Sequence, residues 1–457
     1  MLAYNYLFAP RVIPPQLGYL SKLQNLWVPK CNLVGEIPDS IGNLAALRNL
    51  DLSWNQLSRT IPESITKLNQ VTQIELYHNN LSGRIPENWS NVSSLRSFDA
   101  STNMLNGTIP EKLAKLPLSS LSLFENNLEG NIPEAIGYSP NLFELKLFSN
   151  NLTGSLPANL GNFSGLQTLD IAGNQLSGTL PLDICKQGKL QTLNVFNNNF
   201  SGQVPLKYGA CLSLERVRMH NNKLTGQIPS SFWGLPHVFL LELSNNKFEG
   251  VISSKIRSAK NLSSLLLSSN RFSGSLPSEI GLLANLSVIN GSNNQFTRPL
   301  PATLGSLNKL IKLHPSENQF SGSLPTDILS WNQMVDLSLS NNRFSGPIPR
   351  ELGELPVLTY LDLSVNSLTG AIPPELGNLK LNIFNLSDNQ LTGIVPSAFS
   401  LSFYNSSLMG NPGLCSNDGL EGLKSCSDME DGRRRKCKKR NDTLMTYYHK
   451  NIPNLLR

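Results

Sequence analysis

Gln73-Ile74-Glu75-Leu76-Tyr77-His78-Asn79-Asn80-Leu81-Ser82-Gly83-Arg84-Ile85-Pro86 is the stretch that decides the fold. Ile74 and Leu76 alternate with Gln73, Glu75 and Tyr77, the period of a strand with one buried face. Asn79 follows three residues after Leu76, and Gly83 and Pro86 close the segment. The frame L-x-x-L-x-L-x-x-N recurs along the chain. Its anchors are Cys31, Asn55, Asn79, Asn103, Asn126, Asn150, Asn174, Asn198, Asn222, Asn246, Asn270, Asn294, Asn318, Asn342, Asn366 and Asn389. Of the fifteen intervals, thirteen are 24 residues and two are 23. So strict a period means one supersecondary unit stacked many times.

Composition agrees. The 457 residues include 80 Leu and 52 Asn, while charged residues are only 15%, well below the usual quarter. Leu this dense must be buried, which excludes a disordered chain. No run of 18 apolar residues occurs, so no membrane-spanning helix is expected within it. In each unit the L-x-L pair points inward and the intervening residues outward. The anchor Asn turns in, where its amide can bond loop backbone groups that would otherwise be buried unpaired. Cys31 is a small structural substitute there. Gly after the second Leu permits a tight turn, and I/L/V-P starts an extended convex segment. The expected fold is an α/β solenoid: a right-handed superhelix of about 16 repeats with a parallel β-sheet on its concave face.

Four segments are expected. Residues 1–24 form an incomplete N-terminal repeat without a cap, since Met1-Leu2-Ala3-Tyr4-Asn5 begins inside a repeat. Residues 25–396 form the solenoid, and 397–426 a C-terminal cap closed by a Cys415–Cys426 disulfide. Residues 427–457 form a basic, disordered tail with nine Lys/Arg and four Asp/Glu, which is +5 of the chain's +6. The tail's run from Arg433 to Arg440, interrupted by Cys437, reads as a solvated or membrane-flanking segment. The remaining residues carry 29 basic and 28 acidic side chains, so no nucleic-acid partner is implied.

Thirteen N-x-S/T sites occur where about eight would arise by chance. The glycosylation candidates are Asn80, Asn88, Asn106, Asn151, Asn162, Asn261 and Asn285. With the cap cysteines they favour an extracytoplasmic protein. Cys185 and Cys211 lie in neighbouring units, near enough to bridge; two buried thiols is the expectation. Within the array, Arg59 and Arg298 replace turn glycines, Ser253 replaces the convex Pro, and Pro315 replaces an inward Leu, removing a ladder donor.

The L-x-G-x-I-P repeat resembles the plant-specific class. Residues 3–426 resemble the ectodomain of plant leucine-rich-repeat receptor-like kinases of the HAESA and HAESA-like group. The resemblance is carried by Leu26-Trp27 with Cys31-Asn32-Leu33-Val34-Gly35, by Gln73-Ile74-Glu75-Leu76, and by Arg216-Val217-Arg218. Trp233-Gly234-Leu235-Pro236-His237 and Phe403 through Cys415 add to it. It implies a receptor at the extracellular face of the plasma membrane. The implied partners are a small secreted peptide of the IDA or CLE type and a somatic-embryogenesis receptor kinase as co-receptor. It also implies that Glu75, Phe98 and Ser120 form a pocket for the peptide's hydroxyproline, with Trp27 lining the N-terminal part of the groove. The family's signal peptide, N-terminal cap, membrane span and kinase are not recognisable in the sequence. Without a Gly-rich loop, catalytic-loop Asp or D-F-G, phosphoryl transfer is not expected. No zinc motif occurs, so neither metal nor cofactor is expected.

The outward strand positions reach a compatible reading independently. In the first ten units they include Trp27, Asp51, Glu75, Tyr77, Asp99, Phe124, Glu144, Lys146, Phe148, Asp170, Phe196 and Glu242; from the eleventh they are mostly Ser, Leu, Val and Asn. Exposed aromatics on a strand face mark binding surfaces. Arg216, Arg218 and His220 share one face, and two guanidinium forks suit a carboxylate. The competing reading is an ion pair with Asp170 or Glu242. Eight strand steps from Trp27 to Arg216 span roughly 38 Å, room for about 11–12 extended residues. The expected function is an extracellular peptide-binding ectodomain. A truncated inactive product or decoy, and a defence-type inhibitor of a pathogen enzyme, are the alternatives.

Overall fold

The computed structural model describes residues 9–417 and 419–428. The expectations for Met1–Asn5 and for the tail from residue 429 onward, Cys437 included, lie outside the described residues. The described residues fall into two compact units, divided between Phe272 and Ser273.

In the first unit, the first inward residue of each L-x-L pair is the centre of a three-residue strand paired in parallel with the same strand of the next repeat. Gln73–Glu75 lies between Asn49–Asp51 and Ser97–Asp99, with Ile74 opposite Leu50 and Phe98. Among the described residues, eleven such strands run from Asn25–Trp27 to Ser264–Leu266. The second unit holds five, from Val288–Asn290 to Ile383–Asn385. The alternation does what the pattern requires: Leu50, Ile74, Leu121, Leu145, Leu169, Leu193 and Val217 are fully buried. Each buried side chain of this size contributes about 1.5–3 kcal/mol. No single repeat could enclose them alone, so stacking is what makes the core.

The anchor ladder is present. Asn79 Oδ1 accepts the Leu57 N–H at 3.0 Å. Its Nδ2 donates to the carbonyls of Leu52 and Leu76, each at 3.0 Å, and of Tyr77 at 3.4 Å. Leaving one such buried group unpaired costs about 1–3 kcal/mol, which is why an amide recurs at this position. At Cys31 the pattern persists in reduced form: its N–H donates to Asn55 Oδ1, and its thiol contacts the Pro29 carbonyl. The ladder also runs one rung past Asn389. Asn411 accepts the Leu391 N–H and donates to Leu386, Leu408 and Met409. The cap segment thus begins as a seventeenth anchor-bearing turn, and its strand Gly413–Ser416 pairs with Gln390–Ile394.

Behind the anchors, the expected extended convex segment is shorter than supposed. A second short strand such as Gln56–Arg59 leads to Pro62, which is itself extended (φ −69°, ψ 141°). The next five residues then close into a 3-10 helix, Glu63–Lys67 in that repeat. Pro's fixed φ starts the turn, and the short segment between layers leaves no room for a longer helix. Gly83 sits at φ +74°, where a Cβ would meet Thr60 Cγ2 at 2.7 Å. Arg59 and Arg298 occupy the same turn at φ 69° and 70°, a conformation costly for any residue with a Cβ. Ser253 substitutes for Pro by capping: its Oγ accepts the Lys255 N–H.

Pro315 is buried directly after the strand Lys312–His314. At the equivalent position Gly291 and Leu339 donate their N–H to the following repeat; Pro315 has none to give. The pairing to the next strand covers Lys312–Asp336 and Leu313–Leu337.

Both cysteine pairs are bridged. Cys415–Cys426 closes the cap as expected. The expectation of two thiols at Cys185 and Cys211 is corrected: they form a disulfide with Cα atoms 5.5 Å apart. Their 26-residue separation is one repeat plus two, so stacking of adjacent layers brings the two turns to bridging distance.

Candidate functional site

The outward positions of the first unit form the candidate site. Because the register repeats at every strand, residues 24 apart stand in columns. Trp27, 48% exposed, shares a groove of about 360 Å³ with Asn25, Asn49, Asp51, Gln73 and Glu75. Glu75 Oε1 accepts a bond from Gln73 Nε2 at 2.8 Å, with Ser97 Oγ at 3.5 Å. Burial pushes the Glu75 carboxyl up to about 7; Gln73 opposes this, and neighbouring Asp99 and Asp51 add to it. Asp99 is likewise raised by burial, against bonds from Ser101. This end of the face is a half-buried acidic floor beside an exposed indole.

The middle is aromatic. Phe124 and Phe148 stack at 4.3 Å between centroids and 10° between planes. Beside them Lys146 Nζ pairs with Glu144 at 2.5 Å, and Ser120 Oγ donates to Glu144 Oε2 at 2.9 Å.

The far end is basic. Strand Arg216–Arg218 lies between Thr192–Asn194 and Leu240–Glu242. Arg218 Nε donates to Glu242 Oε2 at 2.6 Å, and its guanidinium lies 4.2 Å over the Phe196 ring. Phe196 stacks in turn on His220, at 4.4 Å and 11°. His220 Nδ1 is 3.2 Å from the same Glu242 oxygen without hydrogen-bond alignment. Burial works against Glu242's charge, but His220 and Arg218 outweigh it and hold its carboxyl below the usual range. Arg216 is flanked by uncharged Thr192 and Leu240, and its buried Nε has no partner. Asp170, raised by burial, is held by Asn194 Nδ2 at 2.8 Å and feels both arginines.

The expected residues therefore divide. Trp27 and Glu75 line one groove, and Arg216 and Arg218 stand side by side as adjacent outward positions. Phe98 is corrected: it is fully buried, edge-on to Trp89, because it occupies the inward position of its strand. Its side chain belongs to the core. Ser120 is bonded to Glu144 and is in register with Ser97 and Gln73, while Glu75 is in register with Asp99 and Ser122. Ser97 rather than Ser120 adjoins Glu75. The competing ion-pair reading holds for Arg218 and not for Arg216. Phe196 and His220 gain roles through a column of residues 24 apart, and Gln73 through a bond to Glu75 within its own strand.

The second unit departs from the bland inner face expected of it. Its inner strands carry Lys312 and His314, both bonded to Asp336 at 2.8 and 2.5 Å. Burial keeps His314 below its ordinary pKa despite that carboxylate. Among the glycosylation candidates Asn80, Asn88, Asn106, Asn151, Asn261 and Asn285 are exposed, whereas Asn162 is half-buried and accepts a bond from Lys186 Nζ. Among the described residues no acid, His or Cys cluster could hold a metal, and no helix is long and apolar enough to cross a membrane.

The Leucine Rich Repeat family matches residues 22–44, 46–68, 165–187, 213–235, 261–283, 333–355, 357–379 and 380–412. A 33-residue segment is 58% identical to the receptor-like protein kinase HSL1 of Arabidopsis thaliana, covering 7% of this chain and 3% of that protein. The Arabidopsis receptor kinase HAESA, solved with the peptide hormone IDA and the co-receptor SERK1, superposes with a TM-score of 0.90 at 52% identity. That match covers 92% of this chain and 70% of the HAESA chain. A TDR receptor matches at 36% identity and a TM-score of 0.82, over 91% of this chain and 71% of its own. With half of its residues shared over nearly its whole length, the chain belongs to the HAESA group of plant leucine-rich-repeat receptor kinases.

Proposed function

We propose that the chain is the peptide-hormone-binding ectodomain of such a receptor, working at the extracellular face of the plasma membrane. Its ligand is a linear, hydroxyproline-containing peptide laid along the inner strands of the first unit. The N-terminal part lies against Trp27, the hydroxyproline near Glu75, and the free C-terminal carboxylate at Arg216 and Arg218. The bound peptide then offers a composite surface to a somatic-embryogenesis receptor kinase co-receptor. The observation that carries this reading is the polarity of the lane: acids and an exposed indole at one end, and at the other a guanidinium whose buried Nε has no partner. HAESA's complex with IDA and SERK1 supports the same class of partners.

Calorimetric titration with a free-acid peptide and its C-terminal amide tests the assignment. Charge-assisted bonds are worth about 1.5–3 kcal/mol each, less where water screens them. The amide should therefore bind at least about tenfold more weakly, and Arg216→Ala should remove most of the difference. Equal binding of acid and amide, with no effect of Arg216→Ala and Arg218→Ala, refutes the site.

A further inference from the structure

The two arginines of the proposed carboxylate site differ in how they are held, and the difference assigns work to their neighbours. Arg218 is fixed on two sides. Glu242 takes its Nε through one oxygen at 2.6 Å, and the Phe196 ring lies beneath its plane at 4.2 Å. Phe196 is itself backed by His220. These residues form two columns across three adjacent repeats, Phe196 with His220 and Arg218 with Glu242, each pair separated by 24 residues. The contact to Glu242 uses only Nε. An arginine has five N–H donors in a rigid fork, so the edge formed by its two terminal nitrogens stays available. Arg216 has no acid beside it in the register.

We propose that Phe196 and Glu242 are positioning residues for the ligand's carboxylate: they hold the Arg218 guanidinium so that its terminal edge and Arg216 form a preset clamp. The inference builds on the carboxylate reading above. A free arginine side chain must lose several rotors when it binds; a guanidinium already stacked and tethered loses fewer. Glu242 achieves this with a negative charge close to an anion site, which opposes the ligand electrostatically. Positioning and charge therefore pull in opposite directions at this residue, and two substitutions separate them. Gln keeps an oxygen that can accept from Nε and removes the charge. Ala removes both.

The test measures binding of free-acid and amidated peptide to the full chain and to Glu242→Gln, Glu242→Ala and Phe196→Leu, with circular dichroism confirming the fold of each. Glu242→Ala should lower free-acid affinity about tenfold and leave the amide nearly unchanged, so the acid-to-amide ratio collapses. Glu242→Gln should restore the ratio to the wild-type value or above it. Phe196→Leu, which keeps bulk but loses the aromatic face, should lower the ratio about threefold to fivefold. If Glu242→Ala keeps the wild-type ratio, or raises free-acid affinity, Glu242 is a bystander or a competitor and the positioning inference fails while the carboxylate reading stands. If the wild-type protein itself does not distinguish acid from amide, the carboxylate reading fails and takes the inference with it.

Discussion

Glu75 allows a test that needs no ligand. Its carboxyl is pushed from 4.5 to about 7, chiefly by burial. The folded state therefore binds this proton more tightly than the unfolded chain does. Below pH 4.5 both states carry the proton and Glu75 costs nothing. Above about 7 the folded state holds a half-buried charge that the unfolded chain keeps in water, so stability is lost as pH rises between these values. A gap of about 2.5 pH units corresponds to roughly 3.4 kcal/mol at 1.36 kcal/mol per unit. Water reaching the partly open groove reduces this to about 1–2 kcal/mol. Glu75→Gln abolishes the titration while preserving shape. Repeat arrays need not unfold in one step, so amide hydrogen exchange over residues 71–81, corrected for the intrinsic rate, is the suitable readout. Between pH 4.5 and 7.5 the wild-type segment should lose protection about 5–30-fold more than the variant does. Asp170, also raised by burial, is present in both proteins and drops out of the comparison, whereas Asp99 and Glu75 raise each other, so the difference reports that coupled pair. Identical pH dependence in the two proteins refutes the assigned environment of Glu75.

Three further outcomes are expected. Arg59→Gly and Arg298→Gly relieve side chains held at φ near 70° and should each stabilise locally by about 0.5–1.5 kcal/mol; faster exchange at residues 56–59 or 295–298 contradicts this. Cys185→Ser with Cys211→Ser opens a 26-residue loop and should cost about 3–4 kcal/mol, seen as a lower denaturant midpoint than the bridged protein. Pro315→Leu supplies the missing N–H donor and should slow exchange in residues 312–340; unchanged protection there shows that the ladder defect is already compensated.

The repeat made most of the fold legible. Inward Leu, anchor Asn and turn Gly answer to burial, hydrogen bonding and backbone sterics, each with a residue signature, and all three recur where the period puts them. What escaped were features set between repeats. Asn411 was hidden because the spacing contracts in the cap, where only its bonds to Leu386, Leu391, Leu408 and Met409 identify it. The Cys185–Cys211 bridge was open because spacing alone does not say whether two turns face each other. Phe98 stands on an inward position that the alternation itself marks as core, and the groove role implied by the family resemblance gives way there to packing against Trp89. The state of Arg218 could not be read either. The sequence offered Asp170 and Glu242 as partners for both arginines, and only the register, which puts Glu242 opposite Arg218 and Leu240 opposite Arg216, separates them.

The columns also explain why a linear ligand suits this face. Ser120 with Glu144, Phe124 with Phe148, Asp170 with Asn194, Phe196 with His220 and Arg218 with Glu242 are each one repeat apart, and none of these bonds and ring stacks reaches beyond an adjacent layer. Nothing among these side chains connects the Trp27 end to the Arg216 end. In a nearest-neighbour array such ends open independently. A peptide that contacts both must hold every layer between them closed for as long as it is bound, because its own chain supplies the missing long-range link. Its binding should therefore raise amide protection across all strands from Asn25–Trp27 to Arg216–Arg218 together. A ligand confined to one end, such as a fragment bearing only the carboxylate, should protect that end alone.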